Sequence, residues 1–280
     1  MSNPILEKTF SVSGAARLEL GNIRGSVDIR PGADGVIVVK AEKLANTGDG
    51  GNTAIEMKQE SDGAVKVRTR FSEFWLGWLF GSRPCKVNYV VTAPRACARK
   101  INGVSNDLFA EGFQGDSSFK TVSGDMTLRA LDGALRCESV SGDMQLSDLN
   151  GDLHLETVSG DVSGARLSGT MALHSISGQA EFEQSSLSSV SANAVSGGMT
   201  LETGLGAGPY KFNSVSGDLT LKIPAEARCT AELHTISGDL HVKLPAASLS
   251  RRNGVQTADV QGGGVRVYLN SVSGDMEIKA

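Results

Sequence analysis

The sequence predicts an all-β chain: a parallel β-solenoid (a single-stranded β-helix) of about 18-residue laps, with an irregular, strand-rich N-terminal part. Three observations predict it. The phrase VSGD returns, with small variations, as TVSGDMTL, SVSGDMQL, TVSGDVSG, SISGQAEF, AVSGGMTL, SVSGDLTL, TISGDLHV and SVSGDMEI. Its glycines (Gly124, Gly142, Gly160, Gly178, Gly197, Gly217, Gly238 and Gly274) are spaced by 18 residues three times, then by 19, 20, 21 and 36. Within each copy apolar residues alternate with period two, and no 3.6-residue stripe survives the internal glycines.

Composition narrows the class. With 280 residues the chain is long enough to bury a sizeable core. A net charge of −4 with scattered Lys and Arg offers no basic stripe for nucleic acid. Thirty-four glycines and 5% aromatics suit short strands and turns. The opening MSNPILEKTF lacks the basic region and apolar run of a secretory signal. The longest apolar stretch, FWLGWLF at 74–80, is far short of the roughly 20 residues that span a bilayer. The expected location is therefore cytoplasmic. Cys85, Cys97, Cys137 and Cys229 form no CxxC pair and read as reduced thiols rather than a disulfide framework or zinc site.

Each lap divides in two. A weaker glycine sits halfway between the strong ones, at Gly133, Gly151 and Gly169, so the unit is nine residues used twice. Apolar residues follow each slot at two, four and seven positions: Met126, Leu128 and Leu131, then Leu135, Cys137 and Val140. This puts Val122, Gly124, Met126 and Leu128 on one face. A tight corner is expected just before each such Val, at Glu138-Ser139 and Glu156-Thr157. A second corner after Leu128 lengthens along the chain into KIPAEAR and LPAASLSRRNGVQTADVQGGG, with Gly208, Cys229 and Val265 filling the weak slots. Laps stacked in chain order leave Glu277–Ala280 as an open end, available for end-to-end self-association.

Residues 1–100 are expected to form N-terminal strands, a hairpin and an apolar Trp loop that supply the opening laps and cap, and residues 101–280 the VSGD-repeat solenoid. NIRGSVDIR repeats the grid with Ile23, Gly25, Val27 and Ile29. IEMKQESDGAVKVRTRF reads as a hairpin turning at Ser61-Asp62-Gly63, and KVNYVVTAP as a strand.

The recurring [ST]-[VI]-S-G-D-φ-x-φ pattern, after VTAPRACARKINGVS, resembles the bacterial putative-adhesin β-solenoid family, a domain of unknown function. The match is close over residues 85–280, and GNIRGSVDI fits the family's N-terminal opening. The resemblance implies the fold and a link to cell-envelope or stress functions. It implies no shared catalytic residue and no cofactor.

The repeated residues do not assemble a reactive site. Ser123, Ser141, Ser159, Ser177, Ser196, Ser216, Ser237 and Ser273 are equivalent, and no His recurs beside them to act as a base. His174 and His234 should share a corner about three laps apart, with His154 and His241 on different faces. Asp132, Arg136, Asp152 and Arg129 make no glycan-cleaving constellation. The chain is therefore expected not to be an enzyme, with no catalytic, cofactor or metal residue. A ladder of Asp107, Asp125, Asp143 and Asp161, broken by Gln179 and Gly198, resumes at Asp218, Asp239 and Asp275. Stacked carboxylates repel by about 1 kcal/mol in water, so they need a reason: Ca²⁺ between laps, or backbone N–H bonds accepted beside a bending Gly. The absence of the double glycine of Ca²⁺-binding nonapeptides favours the second.

The candidate contact is Trp75, Leu76, Trp78, Leu79 and Phe80, either meeting a partner or a membrane surface peripherally or covering the N-terminal end. The expected function is a non-enzymatic binding or scaffolding module for a protein or glycan partner. A surface adhesin or polysaccharide-binding protein is the alternative, and a solenoid glycan lyase or hydrolase a distant third.

Overall fold

A computed structural model describes residues 3–72, 83–245, 247–252 and 255–280. They form an all-β structure, interrupted by a single 3-10 turn at Ala45–Thr47. None of their helices is long and apolar enough to cross a membrane. The chain divides into two compact units, Met1–Gly142 and Asp143–Ala280.

In the first unit, strand Ala16–Pro31 runs parallel to Cys97–Gln114, with Gly25 opposite Asn106, Val27 opposite Leu108 and Ile29 opposite Ala110. Gly25, Val27 and Ile29 are positions of the nine-residue grid. On its other side the same strand pairs with Val65–Phe71 and Lys86–Ala93. Beyond Cys97–Gln114 the register advances by 18 residues, Ile101 to Phe119 to Cys137. Met126–Asp132 also pairs parallel to Cys97–Gln114, and three pairings are antiparallel: Ile5–Ser11 on Val36–Leu44, that strand on Lys86–Ala93, and Thr53–Gln59 on Val65–Phe71 through the predicted hairpin. A buried network anchors this unit. Asn22 Nδ2 donates to the Val87 carbonyl at 2.9 Å, and the Thr69 hydroxyl lies 3.0 Å from Asn22 Oδ1 and 2.7 Å from Tyr89 Oη.

The inward positions of the 18-residue repeat correct the expected parity. Thr121, Met126, Leu128, Leu131, Leu135, Cys137 and Ser139 are buried, whereas Val122 and Val140 are 43% and 41% exposed. The cause is the backbone at the repeat glycine. Gly124 has φ +120 and separates strand Ser117–Ser123 from Met126–Asp132, so the chain turns at Ser-Gly-Asp, after each Val rather than before it. Glu138-Ser139 lies within the paired strand Leu135–Ser141 and is not a corner. The opposite bend uses a left-handed residue: Ala130 (φ 50), then Asp148, Arg166 and Gln184 at φ 55, 54 and 48. That conformation costs a β-carbon-bearing residue about 1–2 kcal/mol. Ala130→Gly is expected to stabilise by about 0.5–1 kcal/mol, read as a higher urea midpoint with unchanged slope.

The second unit has a parallel ladder of its own. Leu155 pairs with Leu173, Leu173 with Ala192, and Ala192 with Phe212. The order of rungs then departs from chain order. Phe212 pairs with Leu269, and Leu269 pairs with Leu233. The C-terminal strands Val265–Ser273 and Met276–Lys279 are thus inserted between Tyr210–Ser216/Leu219–Lys222 and Cys229–Ser237/Leu240–Lys243. The far side of Cys229–Ser237 is occupied by Val255–Val260, which is antiparallel to it and pairs in turn with Ala247–Arg252. The last strand is therefore paired on both sides and is not the open end that stacking in chain order requires. The sequence permits the insertion because NSVSGD occurs twice, at 213–218 and 270–275, and either copy fits the same neighbours.

Large buried side chains fill both interiors, Phe113 and Phe119 in the first unit, Phe182 and Tyr210 in the second. All four cysteines are buried free thiols, and burial alone pushes the Cys137 thiol far up.

Candidate binding edge at the Ser-Gly-Asp corner

The corner is built from five successive residues, as in Thr121 to Asp125. The residue before Val points inward and spends its hydroxyl locally: Thr121, Thr235 and Ser271 donate to the carbonyls of Ser123, Ser237 and Ser273 at 3.2, 3.0 and 3.1 Å. With that position inside, strand alternation turns the next residue, Val or Ile, outward. Glycine is required at the bend. At Gly217 (φ +131) an added β-carbon would lie 2.2 Å from the Gly197 carbonyl oxygen.

The Asp that follows fastens the neighbouring rung. Asp107 Oδ1 accepts the Asp125 N–H, Asp143 that of Asp161, and Asp161 that of Gln179. Gln179 keeps the pattern by accepting the Gly198 N–H through Oε1 at 3.0 Å. Asp218 accepts from Asp275, and Asp275 from Asp239. The carboxylate ladder thus accepts backbone N–H bonds between rungs rather than within one. Among the described residues, no group of three or more His, Cys, Asp or Glu side chains is placed to hold a metal ion.

The outward residues form parallel rows. In the first unit Val104, Val122 and Val140 are exposed. In the second, the strand pairings order the row as Val158, Ile176, Val195, Val215, Val272 and Ile236, each at least 41% exposed. The serines and aspartates of the repeat (Ser123 and Asp125, Ser141 and Asp143, Ser159 and Asp161, Ser216 and Asp218, Ser237 and Asp239, Ser273 and Asp275) are exposed as well. Their glycines (Gly124, Gly142, Gly160, Gly217, Gly238 and Gly274) are half-buried. On the other flank of the apolar row an amide ladder runs from Asn270 Nδ2 to Asn213 Oδ1 and from Asn213 Nδ2 to Asn193 Oδ1, both at 2.8 Å. His174 extends it, with Nδ1 3.4 Å from Asn193 Nδ2. His234 is the rung beyond Asn270, four strands from His174 instead of three, because the C-terminal strand lies between them.

Sequence reasoning missed several features. His154 and His174, 20 residues apart, have ring centroids 5.8 Å apart, and His154 Nε2 lies 2.6 Å from Glu156 Oε1. In the first unit Glu138 is held below the usual carboxylate range by Lys120 and Arg136, each at 2.7 Å. Arg99 is buried over the Phe113 ring, 4.3 Å from its centroid. It donates to the carbonyls of Cys97 and Gly115 and to Ser117 Oγ, and burial lowers its pKa to about 10. Its inward parity with Cys97 and Ile101 was the available signal. Trp75, Leu76, Trp78, Leu79 and Phe80 lie outside the described residues.

Repeated strands in an 18-residue register, with outward side chains held in rows, define a protein of repeated β rungs. The family follows from residues 17–279, which match Toastrack DUF4097, and the chain belongs to that family. Among solved structures it is similar to a putative adhesin from Bacteroides fragilis (12% identity, 99% of this chain and 97% of that chain, TM-score 0.41). It is also similar to a putative adhesin from Parabacteroides distasonis (11% identity, 99% and 98% covered, TM-score 0.37). A putative cell adhesion protein from Clostridium sporogenes covers 99% of each chain at 11% identity and TM-score 0.27. A search of curated proteins found no match.

Proposed function

We propose that this chain is a non-enzymatic binding or scaffolding module, built on β-solenoid laps, that holds a protein partner along its Ser-Gly-Asp edge. The exposed Val/Ile row carries the reading. β-Branched apolar residues at every rung leave a contiguous apolar strip in water, which marks an interaction surface. The partner's chemistry follows from what flanks the strip. Three residues past each Val or Ile of five rungs in the second unit stands an exposed Asp or Gln, with carboxylates at Asp161, Asp218, Asp239 and Asp275. An apolar strip bordered by Lys or Arg complements this arrangement.

Four buried, unpaired cysteines support placing the module in the reducing cytoplasm. The equivalence of the repeat serines supports a non-catalytic role.

The test compares parent and Val195→Lys/Val215→Lys protein as baits in native lysate, after their melting temperatures have been matched. Both positions are about half exposed, 48% and 49%, so the fold should tolerate the change. Proteins bound by the parent should be lost from the variant, and high salt should weaken their binding. Equal retention on both baits would refute the reading.

A further inference from the structure

The outward row that stands just before the inward residues Thr69, Asn22, Gly103, Thr121 and Ser139 has a missing member in the first unit. Arg68, Gly21, Asn102, Lys120 and Glu138 are successive cross-strand partners there. Gly21 contributes no side chain, and at its place lies a cleft of about 450 Å³. Its size falls within the roughly 300–1,000 Å³ of small-molecule sites. Ile23 and Val104 contribute apolar wall, and Arg68, Arg70 and Asn102 stand at its rim.

The polar groups differ in their engagements. Arg70 Nε is held by Glu56 Oε2 at 2.9 Å. Glu56 is also the cross-strand partner of Arg68, so it is spent on one of two guanidiniums and the rim keeps one positive charge. The Arg68 guanidinium is exposed and makes no ion pair with a described residue, and the Asn102 side chain is exposed beside the cleft. A guanidinium offers only donors, in a fork matched to a carboxylate. A cationic ligand would meet Arg68 unfavourably, and a purely apolar one would leave it unanswered.

The geometry points to a site for an aliphatic carboxylate, its head group on Arg68 and Asn102 and its chain along Ile23 and Val104. This site is independent of the partner-binding reading, because its determinants are Gly21 and Arg68 rather than the Val/Ile row of the second unit.

Gly21 supplies a clean test. A β-carbon there would meet only Arg68 Cγ, at 3.9 Å, an ordinary contact, so Gly21→Leu fills the cleft without forcing the backbone. Octanoate is titrated into the full chain and followed by amide chemical shifts. Saturable shifts are expected around Gly21 and Gly103. Affinity should fall at least tenfold in Arg68→Ala and in Gly21→Leu, with unchanged melting temperatures, and 1-octanol should bind at least tenfold more weakly than octanoate. Absence of saturable octanoate binding, or equal binding by parent and both variants, would overturn the site. Octanol binding as tightly as octanoate would overturn the role of Arg68.

Discussion

Gly217→Ala is expected to lower stability by about 3–5 kcal/mol, the sum of two effects that no local adjustment relieves. The first is conformational: φ +131 is open to glycine and strained for any residue with a β-carbon. The second is steric: the new methyl would stand 2.2 Å from the Gly197 carbonyl oxygen, so neighbouring rungs would have to part. The same backbone carbonyl stacking continues at Gly274, whose β-carbon would lie 2.4 Å from the Gly217 oxygen. Equilibrium urea unfolding checks this, with Ser216→Ala, an exposed neighbour, as a control expected within about 0.5 kcal/mol of the parent. A Gly217→Ala midpoint like that of the control would show that the bend is not under the constraint described.

Leu269→Ala is the second large effect, about 3–4 kcal/mol, within the roughly 2–5 kcal/mol range for emptying a leucine site in a closed core. Leu269 is 1% exposed because its strand is flanked by Phe212 on one side and Leu233 on the other. At the true margin of the second unit, Leu249 is 59% exposed, and Leu249→Ala should change stability by less than about 0.5 kcal/mol. Had the final strand formed an open end, Leu269 would have been covered on one side only, and its truncation would cost correspondingly less.

These two residues also show what the sequence makes legible. The repeat grid, the strands and the early hairpin all follow from glycine spacing and period-two alternation, because those patterns are local. The outward turn of Val122 was not legible from alternation alone. Counting back from Met126 through Gly124 assumes an unbroken strand, and a glycine at φ +120 breaks the count. The Asp ladder could be read as a set of hydrogen-bond acceptors, but not which rung supplied each donor. The position of the last strand is the least legible. Every rung presents nearly the same parallel template, so Asn270-Ser271-Val272 fits beside Asn213-Ser214-Val215 as well as it would fit at the end of the row. The occupied far side of Cys229–Ser237, covered by Val255–Val260, decides the matter only in three dimensions.

The continuity of the apolar row depends on that insertion, since Val272 fills the rung between Val215 and Ile236. Paired cysteines at these exposed positions, placed in the full chain and oxidised with copper phenanthroline, measure the order directly. Adjacent rungs are about 4.8 Å apart, within the roughly 4.4–6.8 Å Cα separation of a disulfide, and rungs two apart are not. Val215→Cys/Val272→Cys and Ile236→Cys/Val272→Cys should crosslink within the chain, while Val215→Cys/Ile236→Cys should remain reduced. Efficient crosslinking of Val215→Cys/Ile236→Cys, with none between positions 215 and 272, would contradict the account.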